Sequence, residues 1–303
     1  MIAANRIVFV VATKDRPEEL RRLWYSLLAQ TRVPDEVVVV DAGVRPIPRL
    51  AAGAAAPALR LIRTSVASAA RQRNLGLDAV GPDAWLVGFL DDDAVLAAGA
   101  VEEIARFFAA SGPGVGRAGV NMVIHPPLEW EVLKGTSLVA SLGLYDRRGG
   151  VVTPSGFQTM LGPVETTTWV DWLPTGASVW RREIFREFRF DEWFAGYSYL
   201  EDLDFSYRVG RTSRLAVVAG ARYLHLPAPG GRGGGYAFGL REVLNRVHFV
   251  RKHAELSLPK CRAALAVRLG LSLVQAVRQG SAYYAARAFG NAVGLVRSAL
   301  GTG

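Results

Sequence analysis

Three strand-length runs constrain this chain more than any other feature: Ile7 to Ala12 (IVFVVA), Glu36 to Val40 (EVVVV) and Trp85 to Leu90 (WLVGFL). None alternates polar with apolar residues, so each reads as a strand covered on both faces in a parallel sheet. Helical segments separate them. Asp15 followed by Pro17, Glu18 and Glu19 is a helix start, with a capping carboxylate, a first-turn proline and acids near the positive end. That helix runs to about Gln30, with Leu20, Leu23, Trp24, Leu27 and Leu28 on one face. Leu59 to Arg63 reads as a further strand, and Ser68 to Val80 and Val101 to Ala109 as helices, the last closed by the Gly112 to Gly116 cluster. Strands alternating with helices over short links predict an α/β fold, with a mostly parallel Rossmann-like sheet flanked by helices.

After Gly119 the rhythm changes. Val120 to Ile124 reads as a strand, and Trp169 to Trp180 as another, interrupted at Pro174-Thr175-Gly176. Arg182 to Phe188 reads as a short helix, Tyr199 to Val209 as a helix, and Leu215 to Ala219 as a last strand, with His225 a few residues beyond it. Residues 125–165 carry no clear pattern. Gly230 to Gly235 reads as a flexible loop and Leu240 to His253 as a strong helix. The remainder reads as helical, with Gly270, Gly280 and Gly290 as weak points.

A chain of 303 residues can bury one large α/β core or two modest ones. Its lone cysteine, Cys261, excludes an intrachain disulfide and fits a reducing compartment. A net charge of +9 admits nucleic acid, an anionic membrane or phosphorylated small molecules as partners. No Lys/Arg run interleaved with aromatics is present, so nucleic acid is not expected. Met1 to Arg6 does not form a secretory signal, and arginines at 262, 268, 278, 287 and 297 interrupt the most apolar segment. The expected location is cytoplasmic, with at most peripheral contact on the cytoplasmic face of a membrane. At 100° per residue those arginines do not share one helix face, which speaks against a simple surface helix.

The polar residues that matter follow the strands: Thr13 and Asp15, Asp41, and Asp91-Asp92-Asp93. In open α/β sheets that edge binds ligands. Three adjacent carboxylates repel one another and need compensation. A hard divalent cation, Mn2+ or Mg2+, holding a diphosphate would supply it; a solvated turn capping the next helix is the alternative. Asp41 either accepts hydrogen bonds from a base or ribose, or forms an Asx-turn through Asp-Ala-Gly. Arg73, beside Arg71 and Asn74, either meets a diphosphate or belongs to an exposed basic face. Glu201-Asp202-Leu203-Asp204 opens a helix, where acids suit the macrodipole but a carboxylate can also act as a base. His225 is a metal ligand or a structural histidine.

Taken in order, these segments resemble the inverting glycosyltransferases of family 2, with the GT-A fold, and among them a rhamnosyltransferase-like bacterial subgroup. The resemblance spans roughly Ile7 to His253. It rests on Val10 to Pro17, Ser26 and Gln30, Val37 to Asp41, Arg73-Asn74-Leu75-Gly76, the Asp-x-Asp of Asp91 and Asp93, and Trp172 to Ala177. Phe190-Asp191-Glu192, Glu201-Asp202-Leu203-Asp204, His225 and Asn245-Arg246 continue it. The glycine usual before the Arg-Asn helix is missing; Ser65-Val66-Ala67 stands there.

The resemblance implies a GT-A catalytic domain over residues 1–253, with a nucleotide-sugar half to about 118 and an acceptor half over about 119–229, followed by a helical extension over 254–303. It implies a nucleotide-diphosphate sugar donor, UDP- or dTDP-linked, held by Thr13, Asp15, Asp41, Arg73, Asp91 and Asp92. Asp93 and His225 would bind Mn2+ or Mg2+, and Asp202 would be the catalytic base. Trp169, Asp171, Trp172 and Glu201 would meet the acceptor hydroxyl of a glycan, a lipid-linked glycan or a small molecule. The basic C-terminus would touch a membrane, the catalytic domain or a second copy in a homo-oligomer. The competing readings are a non-catalytic glycan-binding member and a nucleotidyltransferase. The latter needs a glycine-rich phosphate loop where Thr13-Lys14-Asp15-Arg16 stands.

Overall fold

The computed structural model describes residues 5–50, 53, 55–111, 117–123, 140, 143–196, 198–226 and 233–301. The Gly112 to Gly116 cluster and residues 230–232 of the Gly230 to Gly235 loop lie outside the described residues, and Gly235 begins a helix. The chain divides into two compact units, Met1–His125 with Leu161–Ala228, and Pro126–Met160 with Pro229–Gly303.

The first unit is a mixed, mostly parallel sheet. Its strands are β1 (Arg6–Thr13), β2 (Glu36–Asp41), β3 (Ala58–Arg63), β4 (Ala84–Asp91), β5 (Ala94–Leu96), β6 (Arg117–Val123), β7 (Thr168–Val170), β8 (Ala177–Arg181) and β9 (Leu215–His225). They run in the order β3-β2-β1-β4-β8-β6-β9-β5, with β7 also on β9. Helices α1 (Pro17–Leu28), α2 (Ala69–Ala79), α3 (Ala100–Ala110) and α4 (Glu201–Gly210) belong to this unit. The three apolar runs are β1, β2 and β4. β2 is buried at every position and β1 at all but its first residue and Ala12, which explains why neither alternates. Parallel pairing sets Thr13 opposite Asp41 and Ala12 opposite Asp91. The chain therefore delivers Thr13, Asp41 and Asp91 to one edge at nearly one level.

Helix α2 lies close on β1 because Gly76 has no side chain; a Cβ there would collide with Val10. Ser26 and Gln30 fasten α1 to the segment before α3. Ser26 Oγ accepts the Leu96 N–H at 3.2 Å, while Gln30 donates to the Ala97 carbonyl at 2.9 Å and accepts from Val101 at 3.1 Å. Beneath the sheet edge, Phe89, Trp180, Phe185, Phe190 and Phe205 pack ring to ring, Phe190 on Phe205 at 4.4 Å and Phe89 on Phe190 at 4.9 Å. Each such fully buried ring contributes roughly 1.5–3 kcal/mol through area alone.

Three elements differ from the sequence expectation. Trp169 to Trp180 is two strands: β7 pairs antiparallel with β9, and β8 pairs antiparallel with β4, the chain changing partner at Pro174-Thr175-Gly176. The last strand does not stop at Ala219. It shifts register against β6 between Val120 and Asn121 and continues to His225. The short β5 has no signal of its own; Ala94–Leu96 becomes a strand by pairing with Tyr223–His225.

The second unit contains α5 (Gly235–Lys252), α6 (Leu258–Gln279) and α7 (Ala282–Leu300). By contacts, α5 groups with the C-terminal helices, although the sequence reading counts it within residues 1–253. Helices α5 and α7 meet backbone to backbone: a Cβ on Gly239 would strike the Arg287 carbonyl, and one on Gly290 the Tyr236 carbonyl. Glu242, buried between the helices, accepts from Arg268, Arg287 and Asn291 at 2.9–3.1 Å. Gly280 ends α6 in the left-handed conformation, whereas Gly270 and Gly290 lie inside helices. No described helix is long and apolar enough to cross a membrane.

Candidate active site

The three aspartates at the end of β4 meet different sets of partners, with Arg16 shared by Asp92 and Asp93. Asp91, the last residue of β4, accepts from Arg73 Nη2 at 3.0 Å. Asp92 turns inward, accepting from the Thr13 hydroxyl at 2.7 Å and from Arg16 at 3.0 Å. Asp93 lies 3.2 Å from His225 Nε2 and 3.5 Å from Arg16. The repulsion expected of adjacent carboxylates is thus relieved one residue at a time. Burial pushes the Asp92 carboxyl up to about 6, against the pull of Thr13 and Arg16.

Pairing of β5 with β9 carries His225 to Asp93, since His225 stands opposite Ala94. Asp91, Asp93 and His225 each offer one ligand atom, all within 4.8 Å of one another. Two carboxylate oxygens and an imidazole nitrogen suit Mn2+ and Mg2+, with positions left for phosphate oxygens and water. The residues therefore fit the divalent ion that the sequence suggests, with Asp91 added to the two expected ligands.

Behind them, Arg73 is buried and bridges two acids. Its Nη1 donates to Glu201 at 2.6 Å while Nη2 holds Asp91, and its guanidinium lies over the Phe190 ring at 5.5 Å. The neighbouring Asn74 bonds both ways to the Phe190 backbone, at 2.9 and 3.0 Å. The Arg-Asn pair thus serves the site with one side chain and clamps the Phe190–Glu192 segment with the other. Burial and the adjacent Asp202 charge push Glu201 up to about 8, while Arg73 opposes them.

Asp202 stands in the first turn of α4, its Oδ1 accepting the Leu203 N–H at 2.7 Å. Burial raises its pKa; the Leu203 bond and Arg73 pull the other way. The approach to this helix is strained, with Ser198 at φ 53° and Leu200 at φ 79°, both left-handed without being glycine. Ser198 Oγ, 3.3 Å from Ser68 Oγ and from the Ala70 N–H, anchors the strained turn to the start of α2. The last acid of the pattern, Asp204, is fully buried and accepts from Arg208 at 2.9 Å, a structural pairing.

On the other side, a cleft is lined by Thr13, Asp15, Arg16, Asp41 and Arg45 among others. Asp15, at φ 56°, accepts the Val44 and Arg45 N–H groups at 2.7 and 2.8 Å, bonds that hold its carboxyl below the ordinary value. Asp41 makes the Asx-turn bond to Gly43 at 2.7 Å and also pairs with Arg63. The Asx-turn expected of Asp41 is formed, and Asp41 also lines the cleft. Gln72, buried, ties the ends of β1 and β2 by donating to the Thr13 and Val40 carbonyls at 2.9 and 2.8 Å.

Trp169 and Asp171 are not brought to these acids. Trp169 pairs with Ala216, at the start of β9, the end opposite His225, and Arg214 stacks on its ring at 3.8 Å. The Asp171 carbonyl abuts Gly210, the last residue of α4, whereas Asp202 is in the first turn. A separation of eight helical residues puts these about 12 Å apart along the axis. Trp172 is buried in the core. Glu201 does reach the site, but as a partner of Arg73. Sequence reasoning missed Arg16, Gln72 and Tyr223. The Tyr223 phenol is buried, and burial with the charges of Asp91 and Asp93 raises its pKa. Alternation along β9 was the one available signal for it, and the register shift obscures that.

The mostly parallel sheet flanked by helices, with its acidic strand-end edge, matches the GT-A fold. Residues 8–130 match the family described as Glycosyl transferase family 2. No curated protein matches the chain. Among solved structures it is similar to S. aureus TarS 1-349 in complex with UDP-GlcNAc, at 13% identity and TM-score 0.57, over 97% of this chain and 81% of that one. It is also similar to the mannosyltransferase PcManGT from Pyrobaculum calidifontis in complex with GDP-Man and Mn2+, at 17% identity and TM-score 0.53, over 98% and 86%. Likeness at this identity establishes the fold. The chain spans 42% of the length of the longer S. aureus TarS chain, at 14% identity and TM-score 0.46 over 86% of this chain.

Proposed function

We propose that the chain is a metal-dependent, inverting glycosyltransferase that moves a sugar from a nucleotide-diphosphate donor to an acceptor hydroxyl. The observation that carries this is the convergence of Asp91, Asp93 and His225 beside Arg73, which bonds Glu201, the neighbour of Asp202 in α4, with Thr13, Asp15 and Asp41 lining the adjoining cleft. Mn2+ is bound with GDP-Man in PcManGT, and UDP-GlcNAc is bound in TarS 1-349.

In this reading the cleft holds the nucleobase, with Asp15 and Asp41 fixing its walls. Asp91, Asp93 and His225 hold Mn2+ or Mg2+, which when bound offsets the negative charge of the diphosphate. Arg73 and Arg16 add cationic donors toward the same anion. Asp202, with its basicity raised by burial, takes the proton from the acceptor oxygen. That oxygen bonds to the anomeric carbon as the carbon–phosphate-oxygen bond breaks and the nucleoside diphosphate leaves. A single displacement inverts the anomeric centre. The acceptor enters at the start of α4, beside Glu201 and Asp202, rather than at Trp169.

The test is a thermal-shift screen of UDP-, dTDP- and GDP-sugars with and without Mn2+, followed by donor turnover on the best binder. A metal-dependent shift with release of nucleoside diphosphate supports the reading. Binding without any turnover, to water or to added glycan acceptors, would favour a non-catalytic member of the fold.

A further inference from the structure

The C-terminal helices present outward faces that a water-exposed helix pair would not need. On α6, Val267, Leu273, Val274 and Val277 are exposed within one sector of about 120° at 100° per residue, with Val277 85% exposed. On α7, Phe289, Val296 and Leu300 form a similar stripe, with Phe289 65% exposed. Single exposed apolar residues are ordinary, but two stripes on neighbouring helices mark an interaction surface.

The charge around these stripes says what they meet. Residues 258–301 contain Lys260, five arginines and no aspartate or glutamate. The structure also explains why the arginines do not share one face. Arg268 and Arg287 turn inward to Glu242, and Arg262 donates to the Ser298 carbonyl at 3.1 Å. What remains outward is Lys260, Arg278 and Arg297, all exposed. Arg278 directly follows Val277, and Arg297 follows Val296, so the cations edge the apolar stripes. An apolar stripe with a cationic, acid-free border matches an anionic lipid surface: the side chains enter the acyl boundary while the arginines meet the headgroups. None of these helices is apolar enough to cross a membrane, so the contact lies on the surface.

We infer that the α6–α7 face is a membrane-docking surface that binds anionic phospholipid. This goes beyond the transferase reading and does not depend on it. The experiment is flotation of the full chain with vesicles of phosphatidylcholine alone, or mixed in equal parts with phosphatidylglycerol. The chain floats with the anionic vesicles and at least about tenfold less with the neutral ones. Val274→Ser with Val277→Ser, and separately Phe289→Ser, remove insertion without changing charge, and each reduces flotation by roughly tenfold. Arg278→Gln with Arg297→Gln reduces it comparably and weakens its salt dependence. These substitutions face outward, and circular dichroism checks that the variants remain folded. Unchanged flotation in the serine variants, or equal flotation with neutral vesicles, overturns the inference. So does light scattering that shows a stable dimer which the same serine substitutions dissociate, because the face then belongs to a second copy. Donor binding measured in parallel is unaffected in every variant, so failure here is distinguishable from failure of the transferase reading.

Discussion

Arg73 Nη1 lies 2.6 Å from Glu201 Oε1, and both side chains are buried. The pair joins α2 to the start of α4, and through its second nitrogen Arg73 also restrains Asp91. Removing the cation leaves Glu201 and Asp91 without the partner they share. Arg73→Met should therefore destabilise the protein by about 3–5 kcal/mol. Glu201→Gln should cost less, and the double variant less than the sum, because the second change removes the stranded charge. Urea unfolding of the four proteins checks this; strictly additive losses would show that the two side chains do not act as a pair.

Asp202→Asn should remove turnover while leaving donor affinity within about twofold, since the group is assigned to the acceptor proton and not to the nucleotide. Burial raises the Asp202 pKa, so its basic form is lost on acidification at a higher pH than for an ordinary aspartate. The acid limb of the rate should accordingly lie above the usual carboxylate range. A variant that turns over donor normally, or a limb near the ordinary aspartate value, would rule out this base.

The metal assignment separates from catalysis. Asp93→Asn and His225→Ala should each abolish the Mn2+-dependent gain in nucleotide affinity, with affinity in chelator unchanged. Titration calorimetry of the nucleotide with and without Mn2+ reads this directly. Asp91→Asn should have a mixed effect, because Asp91 also holds Arg73. Equal metal dependence in the wild type and the His225 variant would remove the imidazole from the ligand set.

Asp92 gives a stability prediction without metal or donor. Its carboxyl rises from 3.8 to about 6 on folding. The native state then binds a proton that the unfolded chain has lost, so stability falls as pH rises through that window. Two pH units correspond to about 2–3 kcal/mol. Asp92→Asn cannot titrate, so its melting temperature should gain on the wild type between pH 4 and pH 6. A difference between the two that stays constant with pH would contradict the raised carboxyl.

Much of the site was legible because the strands that carry it are continuous and buried. β1, β2 and β4 declare themselves by composition, and parallel pairing makes the residues after them neighbours. Thr13, Asp41 and Asp91 meet for that reason. Arg73 and Asn74 were singled out by their pattern, but their partners were not, since Glu201 and Phe190 lie more than a hundred residues away. Arg16 was read only as part of a strand-end turn. Its role as counter-charge to Asp92 and Asp93 depends on the fold of that turn against β4. Trp169 and Asp171 read as one strand with Trp172 to Ala177, yet the chain changes strand partner at Pro174-Thr175-Gly176, and Trp169 lies at the other end of β9.

The local pattern of residues determined the buried strands, the order of helices between them and the acidic edge, because periodicity and burial are written into short stretches of chain. The tertiary structure alone decided which acid meets which cation, that Ala94–Leu96 becomes a strand and draws His225 to Asp93, and that two arginines of the C-terminal helices face Glu242 while others stay outside. Those outcomes rest on contacts between distant segments, where geometry to within an ångström or two selects the partner and no nearby sequence carries the information.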